Sequence, residues 1–408
     1  MLKRATGGGL KKAEWHVLTP EYPPQLGGVS DYTFQLAAGL ANSGEEVHVW
    51  APGAPGERAE DGTPQGTPFQ VHRECGSFRP ADLRILGKHL DRFPARQRLL
   101  VQWVPHGYGY RSMNLPLCWW IYRRAARQQD RIELMVHEPF LSFSWTSPRQ
   151  SLAALVHRCM AILLLRAASR VWVSIPGWER VMRAYTLGRA VSFQWLPIFS
   201  NIPAASDPSV TESVRRRFTH SGGMLIGHFG TFGKGVSSLL GPIVSALAHD
   251  SGDRVILLIG EGSEEYRRKL ISQEPRLETV IRATGKLPVR EVSHHLAACD
   301  LLIQPYPDGA SSRRTSLMAG LENGKPIVTT TGWLTEPLWA ESGAVALAPA
   351  GDTKAFLKSV GRLCDDRTER VRLETAARSL YREQFDISRT VASLRQARAA
   401  AEVECASS

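Results

Sequence analysis

The sequence predicts an α/β protein built of two Rossmann-like domains whose parallel sheets face each other across an interdomain cleft. Two stretches share one design: an apolar strand, a glycine-rich bend, then an amphipathic helix. The first is Trp15-His16-Val17-Leu18-Thr19, then Gly27-Gly28-Val29-Ser30-Asp31-Tyr32 and a helix to about Asn42. The second is Met224 to Phe229, then Gly230-Thr231-Phe232-Gly233-Lys234-Gly235 and a helix to about His249. Strands and helices alternate along the rest of the chain, which implies parallel sheets. At 408 residues the chain exceeds one hydrophobic core, and two domains of roughly 200 residues are the natural division.

Residues 1–12 are basic and glycine-rich and read as a frayed tail. After the first strand and helix, Glu46-Val47-His48-Val49-Trp50 is a strand, and residues 51–67, rich in Gly, Pro and charge, are a loop. Leu99-Leu100-Val101-Gln102-Trp103 is a strand ending at Pro105-His106-Gly107-Tyr108-Gly109. Leu117 to Gln128 is helical, Ile132 to Val136 is a strand stopped by His137-Glu138-Pro139, Ser151 to Ala168 is a long apolar helix, and Arg170 to Ser174 is a strand. The polar, proline-containing stretch to about Ser209 is a linker. The second half repeats the rhythm with strands at Met224–Phe229, Arg254–Ile259, Val280–Ala283, Asp300–Gln304, Pro326–Thr330 and Ala344–Leu347, and a last helix from about Ser388 to Ala401. The expected domains are 1–205, 206–385, and a closing helix and tail, 386–408, that packs back toward the first domain.

Hydrophobic residues are 43% and charged residues 22%, ordinary for a soluble globular protein. The net charge of +11 fits an anionic ligand, an anionic membrane face or simply a well-solvated cationic surface. No basic run alternates with aromatics, so a nucleic-acid groove is not expected. Six scattered cysteines with no CxxC pair argue against zinc and against a disulfide framework, and suit a reducing cytoplasm. The N-terminus lacks a signal-peptide apolar run. No unbroken stretch of 18 apolar residues exists, so no transmembrane helix is expected.

In open parallel sheets ligands sit beyond the carboxyl ends of the strands, so the residues that follow each strand are the candidates. In the first half these are Gly27 and Gly28, His106, His137 and Glu138. In the second half they are Gly230 to Gly235, Gly260 and Gly262, Gly285 and Lys286, Asp308, and the run Ser311-Ser312-Arg313-Arg314-Thr315-Ser316. Glycine lets backbone approach an anion, and amides at the following helix start point at phosphate oxygens. Lys234 offers a point charge and Arg313 or Arg314 a forked one. Taken alone, each glycine reads as a simple tight turn; two such loops, each set between strand and helix, favour the phosphate-binding reading. Neither loop matches G-x-G-x-x-G or GxxxxGK[ST], so a nicotinamide enzyme is less favoured. On position alone His137 and His106 are more often structural than catalytic, and His294-His295 read as solvated or structural. Helix 151–168, with Arg158 and Arg166 on an apolar body, either rests on a membrane or packs on its own sheet.

Together these segments resemble the retaining GT-B glycosyltransferases, in particular glycosyltransferase family 4. The resemblance spans nearly the whole chain. It rests on Thr19-Pro20-Glu21-Tyr22-Pro23-Pro24 with Gly27-Gly28-Val29, on His137-Glu138-Pro139, on Leu258-Ile259-Gly260-Glu261-Gly262, on Thr284-Gly285-Lys286-Leu287 with Ala298-Cys299-Asp300, and on Leu317-Met318-Ala319 through Gly324-Lys325-Pro326-Ile327-Val328. Two departures stand out. The family's two glutamates before the Gly-x-Pro turn fall on Ser311 and Ala319, with Glu322 out of register, and its arginine after the first loop glycine falls on Thr231.

The resemblance implies metal-independent, retaining transfer of a sugar from a nucleotide diphosphate sugar to an acceptor, with no other cofactor and UDP-sugar as the favoured donor. It implies His137, Lys234 and Arg314 in catalysis. Donor binding falls to Gly28, Gly230, Thr231, Gly233, Gly260, Gly262, Gly285, Lys286, Asp308, Arg313, Thr315, Ser316 and Leu317, the last three through backbone amides. Acceptor binding falls to Gly27, Asp31, Tyr32, His106 and Glu138. The expected location is the cytoplasm, either free or peripheral at the inner membrane face. A sugar-nucleotide epimerase of the same fold and a non-catalytic carbohydrate- or membrane-binding relative are the alternatives.

Overall fold

The computed structural model describes residues 14–25, 27–53, 66–93, 97–109, 112–219, 223–249 and 253–406. The expected frayed tail at 1–12 and most of the 51–67 loop lie outside the described residues. The chain divides into two units, Met1–Leu196 with Val391–Ser408, and Pro197–Thr390.

Unit 1 holds a seven-stranded sheet, β1 (Glu14–Leu18), β2 (Glu46–Trp50), β3 (Gln70–His72), β4 (Arg98–Trp103), β5 (Arg131–Val136), β6 (Ala168–Val173) and β7 (Ser192–Trp195), in the spatial order β3-β2-β1-β4-β5-β6-β7. Every pairing is parallel. Unit 2 holds a six-stranded parallel sheet, β8 (Met224–Phe229), β9 (Arg254–Ile259), β10 (Ile281–Ala283), β11 (Leu301–Gln304), β12 (Ile327–Thr331) and β13 (Ala346–Pro349), in the order β10-β9-β8-β11-β12-β13. Central strands are runs rich in apolar residues because helices cover both faces: β4 is buried at every position, its Arg98 and Gln102 included. Such runs are what made the strands visible in the sequence. β3 and β7 escaped that reading. Both are edge strands; β3 has 3 residues, and β7 alternates exposed and half-buried positions, so neither carries a continuous apolar signal.

Both helices after the glycine bends end where expected, at Asn42 and His249. The closing helix Ile387–Ala406 lies largely in unit 1, where the Arg395 guanidinium donates to buried Glu45 at 2.7 Å. The helix Pro148–Ala167 has a mean hydropathy of 1.3 over an 18-residue window, so by length and composition alone it could cross a bilayer. Counting unbroken apolar residues missed this, because scattered polar residues interrupt the run without lowering its average much. In unit 1 it packs against the helix Leu115–Arg123 and buries Met160, Ala161, Leu164 and Leu165.

Three histidines stack across neighbouring strands of unit 1. His16 on β1 is in register with His48 on β2, and His72 on β3 lies beside it, with ring centroids 5.1 and 5.3 Å apart. Trp50 Nε1 donates to His16 Nδ1 at 3.0 Å, and His48 Nδ1 and His72 Nε2 share a hydrogen bond at 3.0 Å. Burial, reinforced by the neighbouring ring, pushes His16 down to about 3 and His72 down to about 4; burial also lowers His48.

Candidate functional site

A doubly wound sheet opens a crevice at its carboxyl edge where the strand order reverses. In unit 2 that point lies between β8 and β11. The loops leaving these two strands are Gly230–Gly233 and Pro305–Arg314, the two segments the sequence singled out most strongly.

The glycine loop leads directly into the helix Lys234–His249, with Lys234 exposed at its first position and Thr231 and Gly233 exposed before it. Gly260, after β9, has φ +116°, and a Cβ there would lie 2.9 Å from the Gly230 carbonyl oxygen. Only glycine allows the two loops to pass so closely. Gly230 in turn faces Ser316, whose side chain a Cβ at Gly230 would meet at 3.6 Å. Gly230, Gly260 and Ser316 therefore converge. Gly262 caps the helix Ser263–Gln273, and the Gly285 amide donates to Ser263 Oγ at 2.9 Å. Lys286 lies at the rim, exposed, 4.0 Å from the exposed Glu261 carboxylate.

After β11 the chain forms a cationic turn. Asp308 accepts from both Arg313 Nη2 and Arg314 Nη2, and the Arg314 guanidinium lies over the Tyr306 ring, 4.7 Å from its centroid. Tyr306 Oη and Ser316 Oγ share a hydrogen bond at 2.8 Å, and burial raises the Tyr306 phenol to about 12. Arg314 is the N-cap of the helix Thr315–Glu322. The amides of Thr315 and Ser316, in its first turn, have no intrahelical acceptor. Leu317 differs: its amide donates to the Arg314 carbonyl at 3.0 Å, and its side chain is fully buried. Two guanidiniums beside a helix start are the kind of chemistry that suits a multiply charged oxyanion.

Ser311 and Ala319, where the resembled family has glutamates, are both fully buried, and Ser311 Oγ has no hydrogen-bond partner. Glu322, at the far end of the same helix, bonds Ser200 and Tyr381, and burial raises its carboxyl. It anchors the 200–204 segment.

Residue-by-residue reading missed Glu336. Its buried carboxylate accepts from the Ser312 amide at 3.0 Å, from Ser312 Oγ, and from Trp339 Nε1 at 2.7 Å, and so fixes the turn that carries the two arginines. Glu336 follows β12, so the same post-strand rule would have flagged it. Replacing Glu336 with Ala removes the carboxylate that three buried donors share and should destabilise unit 2 by about 3 kcal/mol. Denaturant titration checks this; an unchanged midpoint would remove Glu336 from the scaffold of the turn.

Unit 1 reverses between β1 and β4. The Gly27-Gly28 bend opens the helix Gly28–Asn42, but Glu21 already caps it. Glu21 Oε1 accepts from the Val29 and Ser30 amides at 3.0 Å each, and a Cβ on Gly27 would overlap that carboxylate. The first of the two expected amide cradles thus holds a side chain of its own unit. Asp31 lies in the first turn. Tyr32 is buried with its ring edge-on to His137, centroids 4.9 Å apart. His137 Nε2 meets Gln102 Oε1 at 2.8 Å, and the His137 carbonyl accepts from Trp178 Nε1. With Gln102 Oε1 accepting, the imidazole donates through Nε2 and keeps Nδ1 as an acceptor. Burial holds His137 down to about 3, so it is neutral at physiological pH. His106 sits on the loop after β4, which Tyr108 Oη ties to the Gln102 carbonyl at 2.8 Å. His106 is exposed, Glu138 is half-buried, and their side chains lie 3.5 Å apart.

Two doubly wound parallel α/β units of this kind are the GT-B fold. Residues 223–366 match the family model described as glycosyl transferases group 1. No curated protein sequence matches the chain significantly. Among solved structures, sucrose-phosphate synthase from Thermosynechococcus elongatus aligns over 97% of this chain and 100% of its own, at 14% identity and a TM-score of 0.74. Anabaena HepE in complex with UDP aligns over 95% and 100%, at 16% identity and a TM-score of 0.66. The E. coli trehalose-6-phosphate structure bound with UDP-2-fluoro glucose aligns over 94% and 98%, at 10% identity and a TM-score of 0.68. At such identities the likeness is one of fold.

Proposed function

We propose that this chain is a glycosyltransferase that moves a sugar from a nucleotide diphosphate sugar to an acceptor, with no metal and with retention at the anomeric carbon. The observation that carries this reading is the turn at the switch point of unit 2, where Arg313, Arg314 and the Thr315 and Ser316 amides converge within the segment matched by the glycosyl transferase model. In such a transfer the bond from the anomeric carbon to the diphosphate oxygen breaks, and negative charge grows on the diphosphate. Preorganised donors aimed at that charge lower the barrier without reorganising during the reaction. In this scheme Asp308 orders the two guanidiniums and yields them to the diphosphate. Lys234 adds a mobile charge from the glycine loop. The loops after β9 and β10, with Gly260, Gly262, Gly285 and Lys286, serve the nucleoside. In unit 1, neutral His137 hydrogen-bonds a sugar hydroxyl through Nδ1, and Asp31, His106 and Glu138 serve the acceptor. Uridine is the proposed base; HepE with UDP and the E. coli structure with UDP-2-fluoro glucose support that choice. The proposed location is the cytoplasm, with the enzyme free or at the inner membrane face.

Thermal unfolding with UDP, GDP or ADP tests the donor site. The true donor nucleotide at about 100 times its dissociation constant should add ~2.7 kcal/mol of stability. If none of the three moves the transition, the donor assignment fails. Release of free nucleotide that requires an acceptor separates transfer from epimerisation, and the anomeric signal of the product checks retention.

A further inference from the structure

We propose that the face of unit 1 formed by the helices Pro80–Leu90, Leu115–Arg123 and Pro148–Ala167 docks on an anionic phospholipid bilayer. This inference stands apart from the transfer reaction, since it uses none of the residues assigned to it.

The three helices border a groove of about 690 Å³. Leu83, Leu115, Trp119 and Leu163 line it, and Arg84, Lys88 and Arg123 stand among them. Trp119 is 51% exposed. Leu163 continues onto the outer stripe of the long helix, where Leu152, Leu155 and Cys159 recur at helical spacing; Leu152 is 59% exposed and Leu155 is 54% exposed. The loop before that helix adds Phe143 and a wholly exposed Trp145. Large apolar side chains gathered on one face of a folded unit mark an interaction surface.

The charge pattern identifies the occupant. Residues 115–129 and 139–178 contain no Asp or Glu, yet they carry Arg123, Arg124, Arg127, Arg149, Arg158, Arg166 and Arg170. Arg124 is committed to Asp91 and Asp130, and Arg158 to the Leu141 and Ala154 carbonyls and Tyr185. Among the described residues no carboxylate pairs with Arg84, Lys88 or Arg123. A second copy docking through the same face would set these cations against one another, because a twofold interface pairs a patch with itself. A bilayer with anionic headgroups resolves both features. Guanidinium and ammonium groups meet the phosphates while their stems lie along apolar surface. Trp119 and Trp145 suit the interfacial depth that indoles favour, and Leu152 and Leu155 reach the acyl boundary.

Vesicle co-sedimentation of the full chain tests this, with phosphatidylcholine alone and with phosphatidylcholine mixed with phosphatidylglycerol. The chain should bind the anionic vesicles and prefer them. Replacing Arg84, Lys88 and Arg123 with Gln should weaken that binding by about 100-fold, at about fivefold per cation, and erase the preference. The pair Leu152→Ser and Leu155→Ser should weaken binding by about tenfold at any salt. All five side chains are exposed, so folding should persist, and melting curves confirm it. Absence of binding to anionic vesicles, equal binding to both vesicle types, or wild-type binding by both variants each overturns the proposal. So does a dimer in solution that the leucine pair dissociates while vesicles capture nothing.

Discussion

Replacing Arg314 with Ala, alone or together with Arg313, is expected to lower turnover by about 10² to 10³, equivalent to ~2.7–4 kcal/mol of transition-state stabilisation. The size follows from position. Arg314 is held from two sides, by the Tyr306 ring and by Asp308, next to the helix start whose Thr315 and Ser316 amides have no intrahelical acceptor. A guanidinium fixed in this way loses little freedom when it meets a phosphate, so most of its interaction energy is available as charge develops. Lys234 is exposed at the first position of its helix, and Lys234→Ala should cost less, about tenfold. The measurement is steady-state turnover with UDP-sugar donors, alongside UDP affinity by calorimetry. If the double arginine variant keeps wild-type turnover and UDP affinity, the oxyanion turn is not the donor site.

Acidification should unfold unit 1 well before ordinary carboxylate titration would. His16, His48 and His72 all titrate lower in the fold than the usual 6.5, with burial as the first cause in each case. As pH falls below about 6.5 the unfolded chain takes up protons that the folded stack refuses. Stability is therefore complete above that pH and is lost between it and the folded values of about 3 and about 4. Each proton bound only by the unfolded chain removes about 1.4 kcal/mol per pH unit, and His16 alone accounts for up to about 5 kcal/mol at the acid end. The charged groups facing the stack are Glu14, Glu46 and Arg124. Glu14 opposes the trend, since its carboxyl is raised, but only near its own range. Calorimetry from pH 7 to pH 4.5 should show unit 1 losing melting temperature steeply, and His48→Phe should flatten the slope. A transition temperature that is level over that span would refute the assignment.

Sequence patterning exposed the fold because the central strands of a doubly covered parallel sheet are dominated by apolar residues, even with buried polar ones such as Gln102 and Glu133 among them. The same rule hid β3 and β7, which lie at edges and bury too little to carry a pattern. The long helix Pro148–Ala167 shows a further limit. Its average hydropathy was there to read, but which of its apolar residues face the sheet and which face outward depends on neighbours the chain reaches only on folding.

Sequence alone determined the alternation of strand and helix and the placing of the glycine loop and the double arginine at strand ends. These are local properties, set by burial periodicity and by the backbone freedom a turn needs. Tertiary structure alone decided that Glu21 fills the helix start in unit 1, that Asp308 holds both arginines, that Glu336 fixes their turn, and that three histidines stack across adjacent strands. Apart from the Asp308 clamp and the Glu21 cap, each joins positions well separated in the chain, and in every case the energy lies in a hydrogen bond, a close approach or a shared burial. No run of neighbouring residues encodes such a contact; it exists only once the sheet has set which loops meet at its carboxyl edge and which strands lie side by side.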